Sequence, residues 1–286
     1  MIHLPEAFIS QTKSLLGLEE TEALIKALSE EAPTSIRVNP NKATAISGES
    51  VPWCETGYYL SERPSFTLDP LFHAGAYYVQ EASSMFLSQV IKALPEKPRR
   101  VLDLCAAPGG KSTLWRAELP EQTLLVANEP IHRRAMILAE NLAKWGHPNV
   151  IVTEDYPKSF SLLPGCFDVI AADVPCSGEG MFRKDPGAIE EWSKENVDFC
   201  AQRQFEIISD VWPALREGGF LVYSTCTFNR AENEDNIERI CRELGAETLP
   251  IPIKEEWKIR GSLTKDSLHV YHFFTHYTRG EGIFFA

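Results

Sequence analysis

Residues 100–119 carry the stretch RVLDLCAAPGGKSTLWRAEL, in which an apolar run is followed by small residues and then by apolar residues at helical spacing. The run RVLDLC predicts a buried strand, and KSTLWRAEL predicts a helix. Small residues between a strand and a helix let the backbone approach a ligand and direct N–H groups towards it. This stretch therefore predicts a strand–loop–helix unit whose loop binds a ligand.

Strands and helices continue to alternate beyond this stretch. Such alternation predicts an α/β fold with a parallel sheet that is covered on both faces. The predicted strands are TLLVAN (123–128), NVIVTE (149–154), FDVIAAD (167–173) and GFLVYST (219–225), with helices over IHRRAMILAENLAKWG (131–146) and near 188–216.

Two further elements are predicted towards the C-terminus. The stretch NRAENEDNIERICREL (229–244) predicts a helix capped by Asn229, because Glu232 follows three residues later. The closing GEGIFFA (280–286) predicts a final strand, antiparallel to the apolar segment after Gly245.

The first part of the chain has a different pattern. The stretches PEAFISQTKSLLG (5–17) and EETEALIKALSEEA (19–32) have helical apolar spacing, whereas SIRVNPNK (35–42) and VPWCETGYYL (51–60) indicate strands. We therefore predict a small α+β domain over 1–75 and a larger domain over 76–286.

Composition limits the classes of protein that remain. The chain has 286 residues with 44% hydrophobic content, no apolar run of about 18 residues and no signal-peptide pattern. A globular, cytoplasmic protein that does not enter a membrane is expected, with a monomer as the default. The seven cysteines are scattered without a C-x-x-C pair, so reduced thiols and no zinc site are expected.

The net charge of −12 argues against a protein that binds nucleic acid by overall charge alone. A local basic channel stays possible, although each cluster taken alone is more typical of solvated surface charge. The candidate cations are Lys97, Arg99, Arg100, Arg133, Arg134, Arg183 and Lys184.

Ligands of such sheets bind at the carboxyl ends of the strands, where five predicted strands end in polar or small residues. The loop after the first of them allows three interpretations: a phosphate loop, a loop for a nucleoside cofactor such as S-adenosyl-L-methionine, or a structural turn. Gly110, Lys111 and Ser112 match the end of a phosphate loop, but Cys105 replaces its opening glycine. For a nucleoside cofactor, Glu129 is placed to bind the ribose and Asp155 the adenine.

Cys176 and Cys226 also lie at predicted strand ends, in polar surroundings that include Asp173. Thiols in such loops can act as nucleophiles, whereas an isolated cysteine usually behaves as a small buried apolar residue. Methylation of carbon 5 of a pyrimidine uses a thiol, a carboxylate and a methyl donor together. In that reaction one thiolate adds to carbon 6, and a second group helps to release the product.

The motifs DLCAAPGGKS, ADVPCSGEGMFRKDP and YSTCTFNRAENE, with YYVQEASSM upstream and RGEGIFFA at the end, resemble the RNA cytosine-5 methyltransferases of the Nop/Sun family, in its bacterial RsmF-like branch. The resemblance covers nearly the whole chain. It implies a class I, Rossmann-like methyltransferase domain that uses S-adenosyl-L-methionine, preceded by an RNA-recognition-like domain. It also implies an RNA substrate, with ribosomal RNA as the first expectation and transfer RNA as the second.

The resemblance also assigns roles to residues. Cys226 would be the nucleophile, Cys176 would assist release, and Asp173 would lie between the methionine tail and the base. Glu129 stands where the family often has aspartate. RsmF-like proteins continue into further C-terminal domains, so we expect this chain to be a catalytic fragment. The residues that would line the cofactor loop are Cys105, Ala106, Ala107, Pro108, Gly109, Gly110 and Lys111.

Three other functions remain as alternatives. A DNA cytosine-5 methyltransferase uses the Pro-Cys cysteine as nucleophile and a Glu-Asn-Val motif, but the ENV at 195–197 lies in a predicted helix close to Cys176, which indicates a chance match. A non-catalytic RNA-binding ribosome-assembly factor would not need both cysteines and Asp173. A phosphate-loop nucleotide hydrolase would require magnesium.

Overall fold

The computed structural model describes residues 2–42, 46, 48–264 and 268–286. The predicted α/β fold is confirmed. The strands are β1 Ser35–Val38, β2 Glu49–Ser50, β3 Gly57–Tyr59, β4 Tyr77–Val79, β5 Arg100–Asp103, β6 Leu124–Asn128, β7 Val150–Thr153, β8 Phe167–Asp173, β9 Leu215–Thr225, β10 Tyr271–Phe273 and β11 Ile283–Phe285. Seven of them form one mixed, mostly parallel sheet in the order β10-β11-β9-β8-β5-β6-β7, and four form a second sheet in the order β2-β3-β1-β4. The helices are α1 Glu6–Leu16, α2 Leu18–Leu28, α3 Pro70–His73, α4 Leu87–Ala93, α5 Gly110–Glu118, α6 His132–Trp145, α7 Pro186–Glu191, α8 Lys194–Val211 and α9 Glu234–Leu244.

The chain divides into two compact units. We call Pro33–Asp173 with Asp210–Val222 the loop unit, and the residues up to Ala32 with Val174–Ser209 and Tyr223–Ala286 the cysteine unit. No boundary of these units falls near residue 75, so the division into domains 1–75 and 76–286 stays a prediction.

In the loop unit, β5 pairs in parallel with β6 on one side and with β8 on the other. The order of the strands along the chain therefore reverses at β5, and ligands of doubly wound sheets bind at such a switch point. The centre of β5 is fully buried through Val101 and Leu102, as expected for a strand with helices on both faces. The loop that follows β5 thus leaves the sheet at the position where a ligand site is expected.

In the cysteine unit, α1 contributes to an aromatic core. Phe8 of α1 is fully buried and packs edge-on against Phe182 and Trp192, with ring centroids 5.1 and 5.7 Å away. Phe228 stacks on Phe274 in the same cluster. This core includes Phe182 and Phe228 from the segments that follow the two cysteines.

Two predicted elements differ from the observed ones. The final strand β11 is antiparallel as predicted, but its partners are β10 and the end of β9, not the segment directly after Gly245. Asn229 does accept the N–H of Glu232, at 2.9 Å, but α9 begins only at Glu234, because residues 230–233 form a separate turn. The side chain of Asn229 instead joins a buried polar network around Glu232.

Within the described parts of the chain, no helix is both long and apolar enough to cross a bilayer. A group of three or more side chains suited to a metal ion is likewise not found among those residues.

Candidate active site

The loop between β5 and α5 is shaped by glycine and by hydrogen bonds to its backbone. Gly109 adopts φ +110°, a left-handed conformation that favours glycine, directly before α5 begins. The carbonyl of Pro108 accepts hydrogen bonds from Tyr78 Oη at 3.2 Å and from Asn141 Nδ2 at 2.8 Å. The N–H of Ala106 donates to the carbonyl of Asn128. These bonds hold the predicted cofactor loop, residues 105–111, in one conformation.

The predicted residues Lys111 and Asp173 meet at this edge of the sheet. Lys111 Nζ lies 2.8 Å from Asp173 Oδ2, and both side chains keep part of their surface in solvent. Cys105 lies near this charged group, and burial raises the pKa of its thiol. A neutral thiol at this position fits a wall of the loop better than it fits a nucleophile.

The sequence did not indicate a role for Asp103, the last residue of β5. Its side chain is 1% exposed and accepts a hydrogen bond from Ser112 Oγ at 2.6 Å. Burial raises the pKa of this carboxyl to about 6. Asp103 therefore ties the end of the strand to the first turn of α5. The sequence signal that could have indicated this role is the position of Asp103 at the end of the predicted strand, just before the small residues of the loop.

The predicted ribose ligand Glu129 is buried at the end of β6. One of its oxygens accepts the N–H of Ile131 at 3.0 Å, and the other lies 3.3 Å from the guanidinium of Arg134. The carboxylate is therefore held in a fixed orientation at the carboxyl edge of the sheet.

Asn128 is a second residue that the sequence did not single out. Its amide nitrogen donates to the carbonyls of Leu104 and Asp155, and its oxygen accepts the N–H of Asp155. The side chain of Asp155, the predicted adenine ligand, is exposed at this edge. Asn128 thus fixes the spacing between the segments that follow β5, β6 and β7.

In the cysteine unit, Cys176 and Cys226 lie side by side. Their sulfur atoms are 3.0 Å apart, too far for a disulfide, and the backbone N–H of Cys226 points at Cys176 Sγ at 3.3 Å. The hydrogen bond with Cys226, followed by burial, raises the pKa of the Cys176 thiol well above its usual value. Cys176 therefore keeps its proton and can donate it to the sulfur of Cys226.

A buried carboxylate holds the two cysteine segments together. Glu232 Oε2 accepts the N–H of Ser177 at 2.9 Å and the amide of Gln204 at 2.7 Å, and Glu232 Oε1 accepts Asn229 Nδ2 at 2.7 Å. The hydroxyls of Ser177 and Thr227, which directly follow the cysteines, are 3.1 Å apart. The relative position of the two thiols is thus set by this network.

This network predicts a pH-dependent stability. Burial raises the pKa of Glu232 to about 7, although its hydrogen-bond donors act in the opposite direction. The folded state therefore holds this proton more tightly than the unfolded chain does. We expect the free energy of unfolding to fall by about 3 kcal/mol between about pH 4.5 and about pH 7.5 from this group.

Urea unfolding midpoints at about pH 5 and about pH 8 measure this effect. Glu232→Gln is expected to lose much of the pH dependence, while the exposed control Glu190→Gln keeps it. Equal pH dependence in wild type and Glu232→Gln would contradict the assignment.

A second buried carboxylate, Glu179, joins the same segments from the other side. Its Oε2 accepts the backbone N–H groups of Phe228 and Asn229 at 2.8 and 2.9 Å, and its Oε1 accepts the side chains of Gln11 and Trp192. Glu179 is completely buried, so all four donors depend on it.

The two Gly-Glu-Gly stretches of the sequence cross next to Glu179. A Cβ on Gly180 would lie 2.1 Å from the carbonyl oxygen of Gly282, and a Cβ on Gly282 would lie 2.3 Å from the ring of Phe228. Only glycine permits this approach of the two backbones. Glu281, between the glycines of the second stretch, pairs with Arg183 at 3.0 Å and Lys184 at 3.1 Å.

The candidate cations of a possible basic channel differ in their surroundings. Arg183 has a side chain only 6% exposed, because its charge is directed at the buried Glu281. Lys97, Arg99 and Arg100 precede or open β5, so they lie at the edge of the sheet opposite the β5–α5 loop. Arg134 pairs with Glu129, while Arg133 is exposed at the start of α6.

Comparison with protein families identifies the relatives of this chain. Residues 90–286 match the family described as 16S rRNA methyltransferase RsmB/F, and residues 4–82 match the N-terminal domain of 16S rRNA methyltransferase RsmF. The chain belongs to the RsmB/F methyltransferase family. The resemblance inferred from the sequence motifs is thereby confirmed.

Curated relatives carry the name ribosomal RNA small subunit methyltransferase F. The chain is 38% identical over 251 residues to the protein of Escherichia coli O157:H7 (strain EC4115 / EHEC), with 82% of this chain and 52% of that protein covered. The identity is also 38%, over 252 residues, to the protein of Citrobacter koseri, with the same coverage. The chain thus spans about half the length of the curated relatives it matches.

Solved structures share the fold over almost the whole chain. The crystal structure of NSun6 from Pyrococcus horikoshii with SFG has a TM-score of 0.85 at 21% identity, covering 99% of this chain and 97% of that one. A methyltransferase homolog protein from the same organism has a TM-score of 0.84 at 25% identity, with 99% and 94% covered.

Proposed function

We propose that this protein transfers a methyl group from S-adenosyl-L-methionine to carbon 5 of a cytosine in RNA, with ribosomal RNA as the substrate class. The observation that carries the proposal is the contact between the sulfurs of Cys176 and Cys226, in a chain of the RsmB/F family. Two thiols in contact, one of which is held protonated, suit a reaction that first forms and then breaks a bond to sulfur.

The residues at the carboxyl edge of the loop unit fit the cofactor. Glu129 would bind the ribose hydroxyls and Asp155 the adenine, while residues 105–111 and Asp173 would face the amino acid part. A buried, oriented carboxylate accepts hydroxyl protons well, and the loop lacks the opening glycine of a phosphate loop. S-adenosyl-L-methionine supplies the methyl group. The crystal structure of NSun6 with SFG, which shares this fold, supports a ligand site of this kind.

The two cysteines have distinct tasks in the proposed reaction. The thiolate of Cys226 adds to carbon 6 of the cytosine, and the ring electrons move to carbon 5, which takes the methyl group. The carboxyl group of Asp173 hydrogen-bonds ring nitrogen 3 and stabilises the charge that develops there. The proton on carbon 5 then leaves to solvent and the bond between carbon 6 and sulfur breaks. The thiol of Cys176 stabilises the departing Cys226 thiolate through the hydrogen bond between the two sulfurs.

A binding measurement tests the proposed cofactor site. We expect S-adenosylhomocysteine to bind without magnesium, and Glu129→Gln to weaken this binding about tenfold or more, because a charged acceptor of hydroxyl protons is lost. Calorimetric titration measures both. Glu154→Gln is the matched control, since Glu154 is an exposed acid near the end of β7 that pairs with His132. Magnesium-dependent binding of ATP instead would favour the hydrolase alternative.

The activity itself is tested with radiolabelled S-adenosyl-L-methionine and three unmodified substrates: ribosomal RNA, transfer RNA and DNA. We expect label in ribosomal RNA, and bisulfite sequencing should locate it at cytosine. Label in DNA alone, or label at a base other than cytosine, would overturn the proposal.

A further inference from the structure

A cavity of about 410 Å³ lies in the loop unit, between the four-stranded sheet and the second half of α6. None of the predicted cofactor and catalytic residues lines it, although two of its lining side chains, Tyr78 and Asn141, also hydrogen-bond the carbonyl of Pro108 in the cofactor loop. Its volume falls in the range of sites for small organic ligands. The proposed methyl transfer gives this cavity no role.

The walls of this cavity are rich in aromatic rings. Phe72 and Tyr78 are half-buried, so part of each side chain remains accessible, while Phe66 and Tyr77 pack behind them. Aromatic rings of this kind are the surfaces on which single-stranded bases stack. The stacking works for every base, because each has a π face.

Charge at the cavity is opposite to that of the chain. The chain has 40 acidic and 28 basic residues, yet the described residues that line the cavity include Arg63 and Lys144 and no carboxylate. Lys144 Nζ also pairs with Glu140, which is not part of the lining. Arg63 is exposed, with its guanidinium 5.5 Å from the ring centroid of Phe66, and Lys144 Nζ lies 5.6 Å from that of Phe72. Cations beside aromatic rings suit a ligand that joins a base to a phosphate.

Polar groups for the edge of a base are also present. Trp145 lines the cavity with a side chain 3% exposed, and its buried indole N–H has no hydrogen-bond partner among the described residues. A buried donor without an acceptor is costly, so a ligand carbonyl or ring nitrogen would relieve it. Asn141 also lines the cavity, with its Nδ2 donating to the carbonyl of Pro108 at 2.8 Å.

We propose that this cavity binds one unstacked nucleotide of the RNA substrate, away from the cytosine that is methylated. The base stacks on Phe72 and Tyr78, and the adjoining phosphate pairs with Arg63 and Lys144. The identity of the ligand rests on the proposed function, since the nucleotide belongs to the same RNA. The cavity thereby adds a second point of attachment, which selects RNA segments with an unpaired base at a fixed distance from the target.

Photo-crosslinking tests the site directly in the intact protein. A short single-stranded RNA containing 4-thiouridine is irradiated with the wild type, and crosslinked peptides are identified by mass spectrometry. We expect crosslinks in the peptides that carry Phe72, Tyr78 or Trp145. Crosslinks that lie only elsewhere in the chain overturn the proposal.

Binding of the same RNA by two variants supplies a second test. Fluorescence anisotropy is expected to show about tenfold weaker binding for Phe72→Ala, because base stacking on one ring is lost. The control is Phe199→Ala, a ring 61% exposed on α8. Arg63→Gln changes an exposed side chain and should leave folding intact. It should reduce the magnitude of the slope of log affinity against log salt concentration by about 0.7, because one phosphate contact is lost. The exposed control Lys158→Gln should keep the wild-type slope.

These tests separate the inference from the proposed function. If Phe72→Ala binds the RNA as tightly as wild type and Arg63→Gln keeps the wild-type salt slope, the nucleotide site alone is overturned, provided that wild type still transfers label to RNA. If wild type neither labels RNA nor crosslinks to it, the proposed function and the nucleotide site both fail.

Discussion

Cys226→Ala is expected to abolish methyl transfer to RNA and to form no covalent protein–RNA adduct, whereas Cys176→Ala should accumulate that adduct. Removal of the nucleophile should lower turnover roughly a thousandfold or more, because Cys176 keeps its proton and does not replace Cys226 in the addition to carbon 6. Without Cys176, addition and methyl transfer still occur, but the departing sulfur loses its hydrogen-bond donor. The bond between carbon 6 and sulfur therefore breaks slowly.

One denaturing gel measures both outcomes. Label from S-adenosyl-L-methionine in free RNA reports turnover, and labelled protein of reduced mobility reports the adduct. Cys241→Ala, a half-buried thiol on α9, is the control and should behave as wild type. The opposite pattern, in which Cys176→Ala forms no adduct and Cys226→Ala still does, would show that the nucleophile and release roles are exchanged.

Glu179→Ala is expected to destabilise the protein by about 3–5 kcal/mol, because it leaves four donors, three of them buried, without their acceptor. Two of these donors are the backbone N–H groups of Phe228 and Asn229, in the segment that follows Cys226. Turnover should therefore fall even under conditions where the variant remains folded, since the position of Cys226 is no longer fixed.

Urea unfolding followed by tryptophan fluorescence measures this loss as a lower midpoint with an unchanged slope. Glu179→Gln should lie between wild type and Glu179→Ala, because it keeps the shape but replaces one acceptor oxygen by a donor. Glu62→Gln, at an exposed position, is the control. An unfolding midpoint of Glu179→Ala equal to that of wild type would show that water replaces the carboxylate without cost.

The sheet could be predicted from sequence because its signals are local. The apolar runs of β5, β6, β7 and β8 are short and separated by helices, and the small residues after β5 mark the loop at the switch point. The same local signals placed the start of α9 too early, since Asn229 and Glu232 satisfy the capping pattern within a separate turn.

The residues that hold the cysteine pair could not be predicted, because their partners are distant in sequence. Glu179 binds the N–H groups of residues about 50 positions away, and Arg183 is neutralised by Glu281, 98 positions away. Neither pairing leaves a pattern of spacing in the chain. The basic side chain of Arg183 was for that reason assigned to a candidate RNA channel.

By itself, the sequence determined the fold class and the family, and it singled out the candidate reactive side chains, because apolar periodicity and short motifs act over a few residues. Only the tertiary structure decided that Cys176 and Cys226 touch, that Gly180 crosses Gly282, and that Phe72 and Tyr78 share a cavity with Arg63. Each of these contacts depends on how strands and helices pack, and packing joins residues according to shape and burial irrespective of their separation along the chain.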